Sequence, residues 1–149
     1  MRIRAATSQD IPEIERIINQ HWAVNIDHQK EVKNPNAIIS LAEDETNGSI
    51  LGMALMWITA WNKTGYLVEL AVEKTMKRKG IGSKLIQSLA EKAKENNLRS
   101  IIVETQLGRK EGIDFYLSRG FRMCGYNDRY YTNVPKTGDD IAVFFSLDI

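Results

Sequence analysis

The run Lys77-Arg78-Lys79-Gly80-Ile81-Gly82 is a basic turn carrying two glycines, set between an apolar stretch and an amphipathic one. A strand, such a turn and then a long helix is an arrangement that can hold phosphate. The first N–H groups of a helix have no partner inside it, and the helix dipole favours an anion at that end. Gly80 and Gly82 remove two Cβ atoms from the path of a ligand, while Lys77, Arg78 and Lys79 add positive charge. The spacing excludes a Walker A loop, whose glycines stand further apart, and a dinucleotide fingerprint, whose third glycine is replaced here by Leu85. A solvated basic turn with a glycine cap is the alternative reading. A second chemical oddity lies just upstream: Glu69 is an acid inside the apolar run Tyr66–Val72, where a carboxylate needs a purpose or a partner.

The elements that must position these residues follow from periodicity. Ile3, Ala5 and Thr7 alternate with Arg2, Arg4 and Ala6 as in a half-buried strand. Thr7 or Ser8 caps a helix whose core stripe is Ile11, Ile14, Ile17 and Ile18, with Asp10 and Pro12 suited to its start. His21 to Lys33 reads as a short helix or loop. Ala37–Glu43 and Ile50–Ala60 read as strands about an Asn47-Gly48 turn, and Tyr66–Val72 as a third after the turn Asn62–Gly65. The glycine turn opens a helix with the stripe Ile81, Leu85, Ile86, Leu89, Ala90 and Ala93, closed by Asn96-Asn97. Ser100–Gln106 is a buried strand and Glu111–Ser118 a short helix stopped by Gly120. Phe121–Tyr131 and Ile141–Leu147 are terminal strands across a turn containing Pro135 and Gly138. The order implies a mixed sheet with helices against it.

At 149 residues with 43% hydrophobic and 26% charged side chains, residues 1–149 suit one soluble domain. A net charge of +1 gives no case for nucleic acid or an anionic membrane as partner. Cys124 is the single cysteine, so neither an internal disulfide nor a cysteine metal framework is expected; it reads as a small buried hydrophobe. Met53, Met56, Met76 and Met123 read as core or gap filler. No run of about 18 apolar residues is present, no leader is recognisable, and a cytoplasmic setting fits.

Leu70-Ala71-Val72 followed by Lys77-Arg78-Lys79-Gly80-Ile81-Gly82 and an amphipathic helix resembles motif A of the GNAT superfamily of N-acetyltransferases. Phe115-Tyr116-Leu117-Ser118-Arg119-Gly120-Phe121 resembles a further segment of that superfamily, and the likeness extends over nearly the whole chain. Val103-Glu104-Thr105-Gln106 and Asp140–Phe145 are similar to small-molecule amine acetyltransferases of the streptothricin-resistance type. Lys77 departs from the usual Arg or Gln, Arg109 from a common Asn, and Gly112 from a common Ala.

The resemblance implies an α/β (α+β) fold, with a central mixed, mostly antiparallel sheet of about six to seven strands flanked by about four helices. It implies acetyl-CoA as cosubstrate and no metal. The pantetheine arm would lie along Leu70, Ala71 and Val72. The pyrophosphate would lie on Lys77, Arg78, Lys79, Gly80, Ile81, Gly82 and Ser83, with Arg109 meeting a cofactor oxygen. Tyr116 corresponds to a tyrosine that protonates or hydrogen-bonds the leaving sulfur, and a phenol of pKa about 10 carries the proton that role needs. Glu69 is the candidate base, with Glu104 or a water chain competing for that role. Alternation points Glu69 away from Val68 and Leu70 unless a bulge intervenes. Glu104, Trp22, Tyr126 and Tyr130 are the expected acceptor contacts; His21, Trp57, Trp61 and Tyr131 are aromatic alternatives, since ring faces suit cationic amines. The expected acceptor is a small cationic amine. Peptide or protein amines, or a non-catalytic acyl-CoA-binding regulatory role, are the competing readings, and a homodimer is possible on the same resemblance.

Overall fold

The computed structural model describes residues 1–134 and 136–149, so the turn residue Pro135 lies outside the described residues. Seven strands form one sheet in the order β1-β2-β3-β4-β5-β7-β6. They are β1 (Arg2–Ala5), β2 (Ala37–Glu43), β3 (Ile50–Thr59), β4 (Thr64–Val72), β5 (Ser100–Gln106), β6 (Arg122–Asn127) and β7 (Ala142–Asp148). Among the described residues only β4 and β5 pair in parallel; the other five neighbouring pairs are antiparallel. Among the described residues the helices are α1 (Ile11–Ile18), α2 (His28–Glu31), α3 (Ile81–Glu95) and α4 (Lys110–Ser118), with short 3-10 turns between elements. The mixed, mostly antiparallel sheet with flanking helices matches the expectation from sequence.

Two apolar layers sandwich the sheet. Ile81, Leu85, Ile86, Leu89 and Ala93 of α3 meet Ala54, Met56, Leu67, Ile101, Val103, Val143 and Phe145 on one face. Ile14, Ile17 and Ile18 of α1 meet Ile39, Leu41, Met53, Leu55 and Ala71 on the other. All three isoleucines are fully buried, and burial of each stabilises by about 1.5–3 kcal/mol. α1 and α2 pack on β2, β3 and β4.

Beyond α1 the N-terminal segment is tied by charge. Arg4 donates to both Asp10 carboxylate oxygens, at 2.7 and 2.9 Å, and also pairs with Glu43. The Arg4 hydrogen bonds hold the Asp10 carboxyl down to about 2. A folded pKa below the unfolded one gives stability that is present above about pH 4 and lost as pH falls toward 2. Arg4→Gln is therefore expected to cost about 1–2 kcal/mol in urea unfolding at pH 5, with the difference from wild type shrinking at pH 2–3.

Two sequence expectations need correction at the C-terminal edge. Cys124 and Met123 are exposed rather than buried, Met123 at 55%, because β6 is an edge strand with a bulge between Met123 and Gly125. The strand also ends at Asn127 instead of running to Tyr131, because the chain turns there and folds Tyr130 and Tyr131 back over the sheet.

Candidate active site

The glycine turn forms as its composition requires. Arg78 and Gly80 both have left-handed backbones, at φ 63° and 79°, and Gly80 is the N-cap of α3. A Cβ on Gly80 would meet nothing within 4 Å, so glycine is needed there for its dihedral angle. Gly82 answers to a different constraint: a Cβ there would lie 3.2 Å from Cζ of Phe115 and 3.8 Å from Cγ2 of Val72. Its missing side chain lets α4 sit against the first turn of α3, which brings Phe115 to the turn. The first-turn N–H groups of Ile81, Gly82 and Ser83 are those that a helix leaves unpaired. Lys77, Arg78 and Lys79 are exposed around them. Arg119, not singled out in the sequence, donates through Nη1 to Ser83 Oγ at 3.0 Å and adds a fourth cation to the rim.

Upstream, the sheet splits. β4 and β5 pair from Thr64↔Ser100 to Leu67↔Val103 and no further, although β4 continues to Val72 and β5 to Gln106. The Glu73 N–H bonds Leu51 O on the β3 side. Because such groups alternate along a strand, Leu70 and Val72 turn theirs toward the edge that β5 has left. His21 Nε2 donates to Val72 O at 2.7 Å and caps the last carbonyl of that edge. An open strand edge leading to a helix N-terminus fits a ligand that has an extended amide-bearing arm and a diphosphate head. α1 steadies the junction: Glu73 accepts from Arg16 at 2.6 Å and Gln20 at 2.9 Å, and Gln20 Oε1 accepts the Lys74 N–H at 2.9 Å.

Both candidate carboxylates stand just past the last rung. The bulge anticipated near Glu69 is present, since Leu55 pairs with Glu69 but Met56 with Leu67, leaving Val68 as the extra residue. Val68 and Glu69 consequently share the α1 face. Glu69 is 4% exposed there, with Oε2 at 2.7 Å from Nε2 of the fully buried His28. Glu104 follows Val103 by one residue and points to the same face. Its Oε2 accepts from the Tyr131 hydroxyl, and it pairs across β7 with Phe144. Tyr130 packs edge-on against Tyr131 at 5.1 Å and Phe144 at 5.4 Å, and its hydroxyl lies 2.8 Å from that of Tyr66. Glu104 is thus rimmed by Tyr66, Tyr130, Tyr131 and Phe144. Burial, with Glu104 adding to it, pushes the Tyr66 and Tyr131 phenols up, so both stay protonated donors.

Tyr116 is held on the opposite face by Phe115 at 5.3 Å, Phe121 at 5.4 Å and Phe145 at 6.3 Å. Burial first, and then the charge of Glu104, push its phenol well above the ordinary range.

Of the acceptor contacts expected from sequence, Glu104 and Tyr130 come together. Trp22 packs on the core beneath α1, tilted against His21 at 5.5 Å, and Tyr126 is 74% exposed on β6. Arg109 is the N-cap of α4, with Nε donating to Gln106 Oε1 at 2.9 Å at the end of β5. Trp57 donates to Glu31 at 2.9 Å and so ties α2 to β3, while Trp61 is 86% exposed in the β3–β4 turn. Tyr66 and His28 were not singled out in the sequence, and Phe144 only as part of the Asp140–Phe145 stretch, because each gains its place through pairing of distant segments.

The family model described as Acetyltransferase (GNAT) family matches residues 6–121. Streptothricin acetyltransferase A of Bacillus subtilis is 32% identical over 85 residues, covering 57% of this chain and 49% of that protein. N-alpha-acetyltransferase 30 of Schizosaccharomyces pombe is 34% identical over 71 residues, covering 46% of each. A solved structure from Bacillus anthracis, named for streptothricin acetylation and in complex with acetyl coenzyme A, superposes with a TM-score of 0.75 at 26% identity, covering 85% of this chain and 70% of that one. The chain spans about half the length of the curated streptothricin relatives it matches.

Proposed function

We infer that this chain, which belongs to the GNAT family of acetyltransferases, is an acetyl-CoA-dependent N-acetyltransferase acting on a primary amine of a small cationic molecule. The observation that carries this reading is Glu104: a carboxylate rimmed by aromatic rings, one residue past the last β4–β5 rung. A carboxylate among ring faces suits an ammonium group. The names of the streptothricin relatives agree with an acceptor of that kind.

Leu70 and Val72 would receive the pantetheine arm along their open edge. The first-turn amides of α3, with Lys77, Arg78, Lys79 and Arg119, would hold the diphosphate. Acetyl-CoA supplies the acetyl group as an activated thioester. An acceptor ammonium with a pKa of about 10.4 must shed a proton before it can attack, and the departing sulfur must gain one. Glu104 orients the ammonium, Glu69 takes up its proton through water entering at the split, and Tyr116 donates to the sulfur.

The test is a thermal-shift titration with acetyl-CoA, followed by thiol release with a panel of diamines, lysine-like amines and peptides with free N-termini. Small cations turning over at least about tenfold faster than the peptides, in kcat/KM, supports the reading. Preference for peptide N-termini would favour the second reading, which the likeness to N-alpha-acetyltransferase 30 motivates. Tight acetyl-CoA binding without turnover on any amine would instead mark a regulatory acyl-CoA sensor.

A further inference from the structure

Between α3 and the end of α4 lies a cleft of about 420 Å³, within the range of small-ligand sites. Ser83, Lys84, Ile86 and Gln87 form its α3 wall, while Arg119 after α4 and Leu147 on β7 close the other side. Ile86 is buried and Leu147 half-buried, so the floor is apolar beneath a polar rim. Among the described residues neither Lys84 nor Arg119 has a carboxylate within ion-pair distance. Lys92, further along α3, does: it pairs with Glu95 at 2.7 Å. Gln87 Nε2 donates to Glu91 at 3.2 Å, one turn along the helix.

The cleft joins the phosphate turn at Ser83. The Lys84 N–H is bonded inside the helix, to Gly80 O at 3.1 Å, so Ser83 carries the last of the unpaired first-turn amides. Its Oγ accepts from Arg119 Nη1 at 3.0 Å, which leaves Nε and Nη2 of Arg119 free to donate elsewhere. A cosubstrate whose diphosphate sits on those amides sends its two ends different ways. The pantetheine end follows the open edge of β4. The other end of acetyl-CoA is an adenosine with a 3′-phosphate, a flat ring system beside a group of charge about −1.5 to −2. An apolar floor with two unpaired cations on its rim suits that combination.

We propose that this cleft is the subsite for the 3′-phosphorylated nucleoside of the cosubstrate. Ile86 and Leu147 lie against the base, and Lys84 and Arg119 hold the 3′-phosphate, with Arg119 spanning it and the diphosphate. The proposal rests on the acetyl-CoA reading above. It lets the protein select the complete cosubstrate over a thioester that lacks the 3′-phosphate. The nucleoside is remote from the reacting carbonyl, so its binding is uniform between ground state and transition state and belongs in KM.

Acetyl-CoA and 3′-dephospho-acetyl-CoA make the test. Isothermal titration of the unaltered protein should show the dephospho form binding about tenfold or more weaker. Thiol release with a diamine acceptor should show a similar ratio in KM, with kcat for the two thioesters within about threefold. Lys84→Leu and Arg119→Leu should each narrow the ratio about threefold or more, Arg119→Leu also weakening both ligands through the diphosphate. Lys92→Leu removes a cation from the same helix outside the cleft and should leave the ratio in place. Equal binding of the two thioesters by the unaltered protein overturns the proposal, and that comparison needs no variant to fold. So does a ratio that survives loss of both Lys84 and Arg119, or one that falls as far with Lys92→Leu or Lys77→Leu. A protein that binds neither thioester sinks the cosubstrate reading and the subsite with it, whereas one that binds both alike sinks only the subsite.

Discussion

Tyr116→Phe is expected to lower kcat about 100-fold or more while leaving acetyl-CoA affinity within about threefold. The substitution removes one hydroxyl and keeps the ring, so the contacts with Phe115, Phe121 and Phe145 that seat α4 on the sheet persist. The glycine turn should be undisturbed, because the neighbour it touches is Phe115. What disappears is the proton donor. Burial and the charge of Glu104 keep that phenol protonated well past neutral pH, so its donor capacity does not fade anywhere in the working range. Stopped-flow or steady-state thiol release measures the loss, and isothermal titration with acetyl-CoA measures the unchanged binding. A kcat within about threefold of wild type would remove Tyr116 as the acid and leave it as a core aromatic.

Glu104→Gln is the second large effect, and it should fall on the acceptor rather than on acetyl-CoA. A hydrogen bond to a charged group is worth about 1.5–3 kcal/mol, so kcat/KM for a cationic amine should drop about 10–100-fold. The loss should appear mainly in KM, since Glu104 holds the ammonium before reaction. Tyr131→Phe, which removes the hydroxyl that Glu104 accepts from, should cost less, about threefold to tenfold, because the carboxylate remains. Measuring both variants against a diamine and an amine of lower charge separates charge recognition from general damage. An equal loss for both amines, or none, would detach Glu104 from cation binding.

The parts of this site that are local in sequence were legible in it. Ala37–Glu43 and Ser100–Gln106 form strands with the bounds their apolar runs predict, and the glycine turn opens α3 at Ile81 as its composition predicts. Gly80 could be read because a left-handed cap is a one-residue property. At Gly82 the sequence suggested clearance for a ligand but could not show the second constraint, the close approach of Phe115 from another helix. The bulge at Val68 was visible only as a conditional, since a two-residue alternation shows that Glu69 is out of place but not how the strand resolves it. His28 left no trace at all: it sits in a weakly patterned segment, 41 residues from Glu69, and only the docking of α2 on the sheet joins them. The meeting of Tyr66 with Tyr130 was not legible, because their hydroxyls come together across a separation of 64 residues. Cys124 and Met123 were misplaced because residue type predicts burial only where a second layer exists to supply it.

The position of β7 between β5 and β6 has a consequence for how the molecule is assembled during synthesis. Among the described residues β6 pairs only with β7, and β5 gains its second neighbour from β7, so neither ladder can close while residues 142–148 are still being made. The half of the sheet from β1 to β4 can meanwhile complete its antiparallel ladders in order. A ribosome-bound chain should accordingly show a protease-resistant amino-terminal half before residues 122–127 of β6 are protected. The pocket around Glu104, which needs Phe144, would be the last part to take shape.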